Sequence, residues 1–245
     1  MPDPRRLGGL AWTRRTKGAL TGAERRRLMV AVARGQAENL AGQVKLRMGR
    51  APRGAHEVPP VPDSAFARDA QEACDAQPAA IRAHSYRTWA LGWALAALDG
   101  EAGGLEPEAF WCAALLHDYG IAPVVGGEDF TLRSAQAAIA CADRHGRADA
   151  ERIGDGITAH ATPGVSVESD GALGTYVQAG ALLDLGGLRL WDASPALLGE
   201  VASRWTPGDL IPYVQGEARA VPRGRFALLR RCGMTAAMRV SALRR

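Results

Sequence analysis

Eight apolar residues in a row, Ala109-Phe110-Trp111-Cys112-Ala113-Ala114-Leu115-Leu116, run directly into His117-Asp118, and Gly120 follows. The run is preceded by Glu106-Pro107. Proline is tolerated at the first helical position and glycine closes the far end, so the stretch reads as one helix. That helix delivers an imidazole and a carboxylate at its C-terminus. Neighbours on a regular helix point about 100° apart, so His117 and Asp118 can reach one point only where the helix stops. Gly120 puts that stop in the right place.

The rest of the chain carries the same punctuation. There is no sustained alternation of β-branched residues and no Asn-Gly turn. The pairs Asp99-Gly100, Asp155-Gly156 and Asp170-Gly171 lack strand-like flanks on both sides. Helices are expected over 21–48, 64–76, 79–98, 106–118, 131–145, 149–161, 173–185 and 194–205, with one or two short ones after 223. Thr21 and Glu24 form a capping box at the start of the first. Its expected apolar stripe is Leu28, Val32, Leu40, Val44 and Met48. The fold class is therefore all-α, a helical bundle with an N-terminal helical extension. Residues 1–60 read as a basic extension ending in a Pro/Gly-rich link, 61–222 as the catalytic body and 223–245 as a basic helical tail. Alternatively the N-terminal helix packs on the body and leaves one unit.

Composition narrows the class. The chain has 245 residues, 47% of them hydrophobic, enough for one large domain with a core. No apolar run approaches the roughly 18 residues of a membrane span, and no signal-peptide core follows the basic N-terminus. A cytoplasmic protein without membrane contact is expected. The cysteines, Cys74, Cys112, Cys141 and Cys232, are widely spaced and read as reduced thiols. Charge is segregated: 13 Lys and Arg face 4 acids up to residue 60, and 7 Arg face none from 223 onward. The centre is acidic. The basic ends read as solvated helix faces rather than a nucleic-acid surface, and homo-oligomerisation is open.

Two further segments carry candidate chemistry. His84 precedes Arg87 and Thr88 by three and four residues, so the three share one helical face. Asp184 follows Gly180 and Ala181, small residues that leave the adjoining face open. Buried carboxylates at 118 and 184 need a charge partner. Two imidazoles and two carboxylates can hold one divalent metal with a coordination position left for water.

The ordered set His84, His117-Asp118 and Asp184 resembles the HD-domain metal-dependent phosphohydrolase superfamily over residues 83–187. The segments "HSYRTWALG", "AALLHDYG", "FTLRSAQAA", "ITAHATPG" and "VQAGALLDLGGL" look like its cyanamide-hydratase-like branch. The resemblance implies His84, His117, Asp118 and Asp184 as ligands of one divalent metal, commonly zinc, with iron or manganese acceptable to the same donors. Phe130 stands where a two-metal relative carries a further ligand, which argues for a mononuclear centre. His160 falls near the second extra position and reads as a polar pocket group. In this reading Asp118 holds the proton of the water, and His160 and Arg87 stabilise developing negative charge. Thr88, Tyr119, Phe130 and Arg133 would contact a small nitrile-like or amide-like substrate. Two rivals remain: a phosphohydrolase of nucleotides or phosphate monoesters using Arg87 and Arg133 as clamps, and a non-catalytic binding protein. His145 is expected to cap a helix end, His56 to be solvated, and Trp89, Trp93 and Trp111 to be core.

Overall fold

The computed structural model describes residues 6–49, 54–55, 58–241 and 243; His56 lies outside them. Among the described residues the chain is all-α, with an isolated bridge between Ala55 and Ala193. In chain order the helices are α1 (Leu10–Thr16), α2 (Gly22–Arg47), α3 (Ala65–Asp75), α4 (Ala79–Asp99), α5 (Pro107–Leu116) and α6 (Phe130–Arg144). They continue with α7 (Ala150–His160), α8 (Val167–Gly186), α9 (Pro195–Arg204), α10 (Ile211–Ala220), α11 (Arg225–Arg231) and α12 (Met234–Val240). None of these helices is long and apolar enough to cross a membrane.

Local chemistry explains most boundaries. Thr21 and Glu24 form the expected reciprocal capping box on α2. Ser64, Glu106, Asp129 and Ser194 each accept a backbone N–H at the start of α3, α5, α6 and α9. Pro107 and Pro195 sit in the first turns of their helices. Gly187 ends α8 at φ 68°, a left-handed position that glycine adopts without steric cost. Helix α8 begins earlier than the sequence suggests, but Gly171 is non-helical at φ 78°, ψ 161° and separates a first turn from the main body. Helices α1 and α10 escape the sequence reading. Each is short, and Pro212 at the start of α10 resembles a loop signal in isolation.

Helix α5 is the centre of the molecule. Every residue from Ala109 to Leu116 is buried. It packs against α3, α4, α6, α7 and α8. Trp111 meets Trp89 edge to face at 4.6 Å and donates its indole N–H to the carbonyl of Ala67. Each such ring buries apolar surface worth roughly 1.5–3 kcal/mol.

Helices α4 and α8 form the closest pair, and glycine is the reason. A Cβ on Gly180 would fall 2.2 Å from the carbonyl oxygen of Thr88, and one on Gly92 would fall 2.3 Å from that of Tyr176. Backbone therefore touches backbone. The pairings advance one turn along α4 as they retreat one turn along α8, so the helices are antiparallel. Continued one turn further, this register sets His84 opposite Asp184. Gly180 thus serves helix approach; it is Ala181 that faces open space.

Two expectations about the chain ends change. The inward face of α2 is Leu28, Ala31, Gly35, Asn39 and Gly42, with Gly42 against the indole of Trp191. Of the anticipated stripe, Leu28 is buried, but Leu40 and Met48 are 68% and 72% exposed. The helix arches over a cavity instead of lying on a core, so small residues face inward. The N-terminal segment also packs on the body: α1 lies against α6 and α7, Leu10 joins the main core, and Arg6 pairs with Asp155 and Asp170. In the C-terminal tail, Arg225 is fully buried rather than solvated. Cys74, Cys112 and Cys141 are buried free thiols, and Cys232 is half-buried.

Candidate metal centre

Three helices bring the candidate ligands together. The α4–α8 register presents His84, the end of α5 presents His117 and Asp118, and the last residue of α7 is His160. His117 lies at the C-cap of α5 and Asp118 leaves helical geometry at φ −106°, ψ 8°. The chain thus turns at the point where adjacent residues can face one spot.

Each imidazole is oriented from behind. His117 Nδ1 donates to the carbonyl of Ala114 at 2.8 Å, and His160 Nδ1 donates to that of Ile157 at 2.5 Å. A carbonyl only accepts, so both Nδ1 atoms carry the proton. His84 Nδ1 is 2.7 Å from Asp184 Oδ2. All three rings therefore turn Nε2 toward Asp118. His84 Nε2 lies 3.7 Å from Oδ2 of Asp118, while His117 Nε2 and His160 Nε2 lie 3.5 and 3.7 Å from Oδ1. The His117 ring meets those of His84 and His160 with centroids 5.1 and 4.8 Å apart. Hydrogen bonds of this kind behind the ring fix the tautomer and tilt of a metal-binding histidine.

The cluster leaves three buried polar atoms unpaired. His84 Nε2, His117 Nε2 and Asp118 Oδ1 are buried without a hydrogen-bond partner. His84, His117 and Asp118 each place a donor atom within 4.8 Å of the others. Burial opposes ionisation of Asp118, but His117, His84 and His160 outweigh it and hold its carboxyl below the usual range. Burial also pushes His117 down, and His160 down to about 3. The result is an ionised carboxylate, buried among three rings, with one oxygen unsatisfied. Such a group costs several kcal/mol unless a cation joins it. A buried His84-His117-Asp118 cluster of this kind can bind a metal ion.

Asp184, expected as a fourth ligand, is engaged elsewhere. Oδ2 holds His84, and Oδ1 accepts from Arg87 Nε at 2.5 Å. Arg87 also donates to the carbonyls of Trp205 and Leu243. It is 1% exposed, stands behind Asp184 and does not line the cavity, so the charge-stabilising role read from sequence does not match its place. Instead it supplies the positive charge that Asp184 needs, leaving Asp118 as the uncompensated acid. His160 also differs from expectation. With Nδ1 committed and the ring neutral, its site-facing Nε2 accepts a hydrogen bond and has none to donate.

The four anticipated substrate contacts lie off the cavity. Thr88 is buried on the α4–α8 interface, and Tyr119 packs on the main core. Phe130 supports His160 edge to face at 6.1 Å. Arg133 binds the carbonyls of Gly120 and Glu128. A polar network that the sequence did not signal stands behind His160. Arg225 binds Asp129, the Thr131 hydroxyl, the Thr158 carbonyl and the Thr162 hydroxyl, tying α11 to both α6 and the end of α7. Glu217 accepts the N–H of Phe130, and burial together with nearby Asp129 pushes its carboxyl up to about 7. Nothing local marks Arg225 among the other arginines of the tail.

A cavity of about 1090 Å³ opens from His84, His117, Asp118 and His160 and runs beneath α2. Its walls come from α7, α8, α10, α11 and α12, and its roof from α2. No protein-family model matches the chain, and no curated protein matches it.

Proposed function

We propose that this chain is a metal-dependent hydrolase or hydratase of the HD-domain type, adding water to an electrophilic carbon such as that of a nitrile or amide. One observation carries the reading: Asp118 is a buried, ionised carboxylate whose Oδ1 has no partner, encircled by three imidazole Nε2 atoms. His84, His117 and Asp118 would hold the ion, with zinc, iron and manganese all compatible with two imidazoles and a carboxylate. A divalent cation bound there lowers the pKa of a coordinated water to about 7 and polarises the substrate.

The protein's own groups then have separate tasks. Asp184 fixes the tautomer and tilt of His84, and Arg87 fixes Asp184. His160 offers a lone pair to the attacking water and orients it. Asp118, as an ionised carboxylate, would accept the proton of that water. Apolar residues, Ile121 and Ala161 among them, line the cavity beside the centre. Of the four arginines that line the cavity, Arg6 and Arg189 are paired with acids, while Arg27 and Arg34 are exposed residues of the roof helix α2; the apolar walls favour a neutral carbon electrophile over a phosphate ester.

Purified protein, loaded in turn with zinc, iron and manganese, should be assayed on cyanamide, nitriles and primary amides beside a phosphoester panel. Turnover of a carbon substrate that disappears in His117→Ala supports the reading. Activity confined to phosphoesters would replace it with phosphohydrolysis.

A further inference from the structure

We infer that the cavity takes a substrate with an extended apolar body, of which one end alone reaches the metal centre; the inference rests on the proposed metal-dependent reaction. The size of the space is the first argument. Its volume is about 1090 Å³, slightly above the roughly 300–1,000 Å³ range of small-molecule sites. A cyanamide-sized molecule has three heavy atoms. At the ~30 Å³ that a water occupies in the liquid, it would fill on the order of 100 Å³. Most of the cavity would then hold water that does nothing for the reaction.

The chemistry of the walls is the second argument. Between the metal centre and the roof lie Ala161, Leu185, Val214, Phe226, Met238 and Leu28, from six different segments. Polar residues such as Asn39 and Gln178 also line the space, but most of the wall an occupant meets is apolar. Water held against such walls finds few partners, and an apolar occupant releases it. Methionine adds an unbranched, polarisable surface that adapts to irregular shapes.

The third argument is how the roof is built. Helix α2 crosses the opening with Ala31 and Gly35 facing in, and it is fixed at both ends. Leu28 packs with Trp12, Leu20 and Leu228, and Gly42 lies against Trp191. Gln36 donates to the Cys232 carbonyl between them. A roof of small residues held at its ends preserves room beneath. Contacts to a remote apolar body would orient the reacting carbon, which a three-atom substrate cannot do for itself.

The test separates binding from turnover. Straight-chain alcohols from ethanol to octanol are titrated against 1-anilinonaphthalene-8-sulfonate fluorescence on zinc-loaded protein, alongside Val214→Trp and Val32→Trp, at two residues that line the cavity, Val32 from the roof helix α2; the zinc content of both variants is measured. The displacement constant should fall about fourfold per methylene, and each variant should weaken octanol at least tenfold while retaining zinc. If Val214→Trp loses helical circular dichroism, Val32→Trp on the roof carries the comparison. A flat series, or octanol affinity unchanged in folded variants, overturns the inference. In a parallel assay, cyanamide and octanenitrile turned over with equal kcat/KM would also overturn it while leaving the metal-dependent reaction standing. A steep alcohol series with no turnover of any nitrile or amide would sustain the apolar site and remove the proposed reaction.

Discussion

His84 Nδ1 stands 2.7 Å from Asp184 Oδ2, while its Nε2 faces Asp118 without a hydrogen-bond partner. One ring thus joins a satisfied side of the site to an unsatisfied one. Asp184 has Arg87 as its counter-charge, whereas Asp118 has only imidazoles. That asymmetry separates the roles of two carboxylates that look equivalent in the sequence.

Arg87→Met should expose the dependence of Asp184 on its counter-charge. Removing one partner of a buried ion pair costs roughly 3–5 kcal/mol, and losing the group that orients a ligand costs about 10–100-fold in metal affinity. Arg87→Met/Asp184→Asn should recover part of the stability but not the affinity. Denaturant titrations and competitive zinc titrations measure the two. A single variant with wild-type values in both would remove Arg87 from this role.

Gly180→Ala tests whether the α4–α8 approach positions the site. The new methyl would meet the Thr88 carbonyl oxygen at 2.2 Å, so the helices must separate. Overpacking of this kind costs roughly 1–3 kcal/mol or more, and it should also weaken metal binding through His84. Gly199→Ala, inside α9 with open space at its Cβ, is the control: it should leave metal binding unchanged and raise stability by up to about 1 kcal/mol through helix propensity. Equal behaviour of the two variants would contradict the register argument.

His160→Ala should retain the metal and lose turnover by roughly 10²-fold or more, the usual scale for a positioned proton-handling group. Loss of metal in this variant would make His160 a ligand. Metal content and single-turnover rates distinguish the outcomes.

Glu217 makes stability pH-dependent. Its folded pKa is raised from 4.5 to about 7 by burial and by Asp129. The native state therefore binds more protons than the unfolded state between those values, and stability falls as pH rises through this window. The full cost of the buried charge is reached above pH 7, at most about 3 kcal/mol from a shift of this size. Glu217→Gln should thus gain stability relative to wild type between pH 5 and pH 8. A difference independent of pH in chemical denaturation would contradict the assignment.

The helices were legible wherever sequence chemistry was local. The Thr21–Glu24 box, Pro107, Pro195 and Gly187 sit where caps and breakers belong. His84, His117 and Asp118 were legible as members of an ordered set, an imidazole, a His-Asp pair at a helix end and a later carboxylate, each on a helical segment; none of them would have stood out alone. What failed depended on neighbours distant in sequence. Leu40 and Met48 looked like core until α2 proved to span a cavity, with Gly42 making its contact. Arg87 had the spacing of a pocket residue, yet the carbonyls of Trp205 and Leu243 draw it behind the site. Arg225 read as one charge of a basic tail, and only the fold brings Asp129 to it.

The uncompensated charge on Asp118 is tested most directly by metal stoichiometry. Wild type and Asp118→Asn are loaded with zinc, dialysed against metal-free buffer and measured by elemental analysis, with helical circular dichroism as the check on folding. Wild type should keep about one ion per chain and the variant less than about 0.1, with matching spectra, since a neutral amide removes both charge and ligand. Equal zinc in both proteins, or none in wild type after loading with zinc, iron or manganese, would contradict the account.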